Sequence, residues 1–471
     1  MVFSSYLFLF FFLPLALAAY YLSPKKIKHL TLTLFSYAFY GWANPSFMLL
    51  MWFTTTVDYT NGRIMGRPGS GSARRRKLAL LCSIVVNLSV LAFFKYFNFG
   101  MENYNALMAA MGIPAWQFEG FFRVVLPLGI SFYTFQSMSY VVDVYRGDAE
   151  VVTNYIDYAC YVSMFPQLVA GPIVRFQDIA DQLRERSYSW EKFARGVAFF
   201  ALGMGKKILL ANPCGKIADV AFNAVDLSVF DAWYGLVAYS FQIYFDFSGY
   251  SDMAIGLGLM LGFVFAKNFD SPYKSRSITE FWKRWHMSLS TWLRDYLYIP
   301  LGGNRKGQRR TYINLALVML LGGLWHGASW NFLIWGGIHG GYLAFERAQG
   351  KESIYHRLPR VMQVGLTFFI VMIAWVFFRA DTLPDAWRYF SSLFGGAPAT
   401  GASSIIRGLI YNPYYLLHFI IAGIVVWALP QTWDFTRKIT WPKIVWCILV
   451  FGIALIALTT QSYNPFIYFI F

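Results

Sequence analysis

The sequence predicts an all-α polytopic membrane protein, and three observations carry that expectation. Of 471 residues, 57% are hydrophobic and only 14% charged, where a soluble domain carries about a quarter charged residues. The mean hydropathy is +0.44. The net charge of +16 sits in short basic clusters between apolar runs. That is the pattern of cytoplasmic loops facing an anionic leaflet, and it argues against a nucleic-acid-binding surface.

The elements follow in order. Residues 2–22 are apolar, without a basic start or a small-residue cleavage site, and are expected to be a retained first span. Lys25, Lys26 and Lys28 put the next loop inside and the N-terminus outside. Two shorter apolar segments, 30–42 and 47–59, turn at Asn44-Pro45. A cytoplasmic loop with Pro68-Gly69-Ser70-Gly71-Ser72 and Arg74-Arg75-Arg76-Lys77 precedes a span at 78–97. Residues 98–123 then lie outside by parity. The return span, 124–144, carries a polar face of Gln136, Ser137 and Ser139, which suits either helix packing or a cavity.

Segment 155–174 is interrupted by Pro166-Gln167 and Ala170-Gly171-Pro172, and reads as a broken or re-entrant helix. The charged, helix-periodic stretch 175–192 reads as interfacial. Apolar spans resume at 193–211, 232–245, 312–325, 331–345, 363–378, 414–429 and 444–460. The expected total is about eleven to thirteen crossings.

Polar chemistry is concentrated between residues 244 and 345. Asp246 and Asp252 stand in an apolar region, where carboxylates are costly. They suit either a functional site or a Ser/Gly/Asp turn capping a following helix. His286 lies on an amphipathic segment whose other face carries Lys283, Arg284 and Arg294, a basic platform able to hold a phosphate-bearing donor. Asp295 suits pairing with Arg294 or orienting a histidine. His326, beside Trp325 and Gly327 near the end of a span, suits either a general base or a hydrogen-bonded core histidine. His339 lies among glycines that serve close helix packing equally well. His29, His356 and His418 read as surface or packing residues. Cys82, Cys160, Cys214 and Cys447 have no metal or disulfide spacing and read as free thiols. No metal site, Walker motif, dinucleotide fingerprint or serine elbow is expected.

The runs Phe281-Trp282-Lys283-Arg284-Trp285-His286, Ser288 to Tyr298, Leu301-Gly302-Gly303-Asn304-Arg305 and Gly322-Gly323-Leu324-Trp325-His326-Gly327 resemble the membrane-bound O-acyltransferase family, in its bacterial branch that O-acetylates exopolysaccharides. Leu126 to Tyr133 and Tyr244 to Asp252 resemble that branch too.

The resemblance implies one membrane-embedded domain over 1–471, with a core motif region at 281–345 and a weaker match over 348–471. It implies helices around a central tunnel, with His326 catalytic and His286 a second functional residue at a more cytoplasmic depth. Trp325, Lys283, Arg284, Arg294, Asp295, Asn304, Asp246 and Asp252 are the candidate binding or tunnel residues. Relatives of the branch often carry histidine where this chain has Gln167, so essential proton chemistry is not placed there. The implied donor is acetyl-CoA and the implied partners are periplasmic polysaccharide acetyltransferases. The implied acceptor polymer is alginate, in the inner membrane of a bacterium. Acetylation of cellulose, D-alanyl transfer to teichoic acid and a non-catalytic acetyl transporter are the alternatives.

Overall fold

A computed structural model describes residues 1–42, 44–66, 73–118, 120–350, 357–396, 402–461 and 463–467. The glycine-serine loop at 68–72 and His356 lie outside them. Every regular element among the described residues is helical. Among the described residues, three helices are long and apolar enough to cross a membrane: Ala73–Ala110, Arg360–Arg379 and Trp441–Thr460. Leu7–Leu22 and Pro413–Trp427 are shorter apolar helices. The chain divides into two compact units, Met1–Ser187 and Tyr188–Phe471.

In the first unit, the helix Ala73–Ala110 has 38 residues. At 1.5 Å per residue it is roughly 57 Å long, well beyond a hydrocarbon core of about 30 Å. The span expected at 78–97 therefore continues as helix through half of the segment read as an outside loop. The polar face on Ile130–Arg146 serves helix packing. Ser137 donates to the buried carboxylate of Asp58, which also accepts from Asn87 Nδ2 at 2.9 Å. The expected break is present: Tyr155–Ser163 ends at Met164 and a short helix, Phe165–Leu168, restarts at the proline. His29 is not a loose surface residue, since its ring bridges Asp157 (2.6 Å) and Arg186 (2.7 Å).

The second unit is organised by Val229–Met260, a continuous helix of 32 residues that is buried along most of its length. It packs against Trp190–Gly205 through reciprocal glycines. A Cβ on Gly203 would lie 2.6 Å from the Gly249 carbonyl oxygen, and one on Gly256 would lie 2.5 Å from that of Gly196. Small residues seven apart on both helices let the backbones touch, the usual device where lipid gives no hydrophobic drive between helices. The same device sets the hairpin of Gly307–His326 and Trp330–Gln349. There a Cβ on Gly323 would sit 2.2 Å from the Phe332 carbonyl oxygen, and one on Gly336 2.4 Å from that of Met319. This hairpin carries His326 as the last residue of its first helix, where Gly327 turns extended and ends it.

Candidate active site

His326 is 6% exposed and sits in an aromatic box. Its ring centroid lies 5.0 Å from Trp325, 5.1 Å from Trp335 and 5.3 Å from Phe378. A cavity of about 10 Å³ adjoins it, walled by Phe247, Trp285, Trp335, Trp375, Phe378 and Ile467 among others. Trp335 Nε1 is buried and has no hydrogen-bond partner among the described residues.

The His286 ring centroid is 6.3 Å from that of His326. The two rings are near neighbours: His326 lines the cavity, and His286 packs against its Phe247 wall at 4.6 Å. His286 is fully buried rather than lying on an exposed amphipathic surface. It is one of two non-glycine residues with positive φ among those described, at +44°. A conformation of that kind costs about 1–3 kcal/mol and persists only where neighbours enforce it. Asn268 is the enforcer. Its Oδ1 meets His286 Nδ1 at 3.2 Å and accepts from Ser288 Oγ at 2.9 Å, while its backbone oxygen accepts from Met287 N at 2.9 Å. Nδ1–H therefore donates to Asn268, which leaves Nε2 as the lone-pair nitrogen; no partner for Nε2 is present among the described residues. Burial pushes the pKa of His286 down to about 3, so the ring is neutral near neutral pH.

The other candidates separate by environment. Trp325 packs against both histidine rings, 5.0 Å from His326 and 6.0 Å from His286. Arg284 is committed to Glu280 (2.7 Å) and to the Asp270 carbonyl (3.1 Å), which makes it a local brace. Arg294 pairs with its neighbour Asp295 at 2.7 Å, the first of the two roles considered for that carboxylate. Asn304 is exposed in the loop before Gly307–His326. Lys283 lines a separate pocket of about 660 Å³ with Arg276, Arg347, Glu280 and Glu346. Glu280 is held by Arg284, and Glu346 accepts from Ile278 N at 2.6 Å and Thr279 N at 2.8 Å. Arg276, Lys283 and Arg347 are within ion-pair distance of no carboxylate among the described residues.

Asp246 and Asp252 do not form a capping turn, because the helix runs through both. Each meets a lysine of the π-helical turn Lys206–Ala211: Lys207 to Asp246 at 2.5 Å, Lys206 to Asp252 at 2.7 Å. Asp252 also accepts from Thr432 Oγ1 at 2.6 Å. Asp246 reaches the chamber indirectly, by accepting the Ile467 N–H at 2.8 Å, while Lys207 donates to the Pro465 carbonyl. The sequence reading missed Asn268, the two lysines and the C-terminal segment. Trp375, Phe378 and Ile467 complete the chamber from the region past Arg347, where nothing functional was expected.

A family model described as MBOAT, membrane-bound O-acyltransferase family, matches residues 149–379, a stretch that contains both His286 and His326. The probable alginate O-acetylase AlgI of Azotobacter vinelandii is 42% identical over 504 aligned positions, covering all of both chains. The protein of the same description from Pseudomonas aeruginosa is 49% identical over 84% of this chain and 75% of its own length. A peptidoglycan O-acetyltransferase of Helicobacter pylori is 36% identical over 84% of this chain and 80% of its own. Full-length identity at this level, the family match and the apolar helices together place the chain in the membrane-bound O-acyltransferase family, as an integral membrane O-acyltransferase.

Proposed function

We propose that this acyltransferase takes acetyl from acetyl-CoA at the cytoplasmic face of a bacterial inner membrane and delivers it for O-acetylation of an exopolysaccharide of the alginate type. The observation that carries the reading is a pair of imidazoles 6.3 Å apart, with His326 lining an aromatic cavity and His286 packed against its Phe247 wall. The three relatives named above agree on acetyl and differ in polymer, and the higher identities belong to the alginate enzymes.

The donor side is the pocket at Arg276, Lys283 and Arg347. Three cations without ion-pair partners beside two occupied carboxylates suit the phosphates of a CoA ester. In the chamber, a nitrogen of His326 takes the proton of the acceptor hydroxyl as the oxygen attacks the thioester carbonyl carbon. His286 Nε2 orients that hydroxyl, and the Trp335 N–H donates to the oxygen that gains charge. The C–S bond then breaks, and CoA thiolate leaves with the proton held on His326. The aromatic walls exclude water, which would otherwise hydrolyse the thioester. The cavity beside His326 holds about one water molecule, so the walls must part to admit even an acetyl group, and a hydroxyl presented by a periplasmic acetyltransferase partner asks for less widening than a polymer. The N-terminus lies on the periplasmic side, by the charge pattern of the loops.

The test is made in cells. With His326→Ala produced at the wild-type level, the secreted polymer is expected to lose its O-acetyl groups. Polymer acetylated as in the wild type would remove the proposal.

A further inference from the structure

We propose that the groove between Trp190–Gly205 and Trp441–Thr460 binds one anionic phospholipid, with an acyl chain in the groove and the phosphate held by Arg195, Arg437, Lys438 and Lys443. The groove has a volume of about 360 Å³, and its lining is apolar except for Thr436 and Lys443. Ala194, Ala198 and Ala201 form its floor, and Phe435, Ile439 and Phe451 its sides. One of its walls, Trp441–Thr460, is among the three helices apolar enough to cross a membrane. That wall presents exposed Val445, Ile448 and Leu449 around the groove.

The direction of the groove is fixed by packing. Ala198 and Ala201 cluster with Cys447, and Gly205 faces Val450, so both helices run the same way and begin at the same end. Trp190 and Trp441 stand at that end, 88% and 79% exposed. Exposed tryptophans at the starts of apolar helices mark the headgroup level of a bilayer.

The cations gather at the same level. The Arg195 guanidinium lies over Trp433 (5.1 Å) and Phe199 (5.5 Å), with Thr436 Oγ1 at 3.5 Å. No carboxylate is within ion-pair distance of it among the described residues. Lys443 spends two donors on the Phe435 and Lys438 carbonyls, at 2.6 and 2.9 Å, and has a third remaining. Arg437 and Lys438 are exposed beside them. Four cations against Glu191 and Asp434 leave a positive mouth on an apolar trough. That combination selects an anionic headgroup and an acyl chain together.

The test is native mass spectrometry of the full chain released from detergent, titrated with dioleoyl phosphatidylglycerol, dioleoyl phosphatidylethanolamine or inorganic phosphate. A basic residue near an anionic surface is worth about fivefold in affinity, so Arg437→Gln with Lys438→Gln removes about thirtyfold. The expected result is one retained phosphatidylglycerol, preferred over phosphatidylethanolamine, with the preference lost in the double variant. Ala194→Phe, at an exposed groove position, should lower retention of both lipids. Equal retention of the two lipids by the wild type overturns the proposal, as does a preference that survives the double variant. Displacement of the lipid by inorganic phosphate would show a phosphate site without an acyl component, and would overturn it too.

Discussion

Asn268 does for His286 what no residue next to it in sequence can do: it fixes the tautomer and holds a left-handed backbone in place. Asn268→Ala leaves the His286 and Ser288 donors unsatisfied, a cost of about 1–3 kcal/mol. It should lower the melting temperature and reduce kcat more than KM, which thermal unfolding and steady-state kinetics can check. His326→Ala removes the proposed base and should reduce acetyl transfer by about 10²–10⁴-fold without a comparable loss of stability. The depressed pKa of His286 has a sign that can be worked out. Below about pH 6.5 the unfolded chain takes up a proton that the folded chain refuses until about pH 3. His286 thus contributes stability at neutral pH that is lost as pH falls through that window, and His286→Phe should flatten this part of the melting profile. The two histidines were legible because their motifs are long and distinctive. Asn268 was not, since a lone asparagine beside Lys267 and Asp270 resembles any polar loop.

At the scale of elements, the two intramembrane aspartates show how distant partners rewrite a local reading. Ser248, Gly249 and Ser251 between Asp246 and Asp252 suggest a turn, yet the helix is unbroken because Lys206 and Lys207 neutralise both carboxylates. No local pattern announces a pairing across 46 residues. Lys207→Met strands the buried Asp246 and should cost about 3–5 kcal/mol. Adding Asp246→Asn should recover much of that loss, as read by thermal unfolding in detergent. Recovery of stability with full transfer activity would mark the pair as structural, whereas activity that stays lost would give Asp246 a part in the chamber. The reciprocal glycines were similarly silent, for a glycine in an apolar run looks the same whether it faces lipid or another backbone. The continuation of Ala73–Ala110 beyond a bilayer's thickness was hidden by the polar residues that populate its second half.

For the whole molecule, composition was sufficient to assign an all-α membrane protein, because burying so little charge in so much apolar sequence has no soluble solution. Assembly of the chamber was beyond its reach. The walls come from Ile243 and Phe247, from Trp285, from the Gly307–His326 and Trp330–Gln349 hairpin, from Trp375 and Phe378, and from Ile467. Only tertiary structure brings together positions more than 200 residues apart. The measurement that tests the central claim most directly uses purified protein in proteoliposomes with the periplasmic partner and radiolabelled acetyl-CoA supplied on one side. The account predicts acetyl transfer by the wild type, its loss in His326→Ala, and a marked reduction in His286→Ala. Transfer that survives His326→Ala undiminished would contradict it.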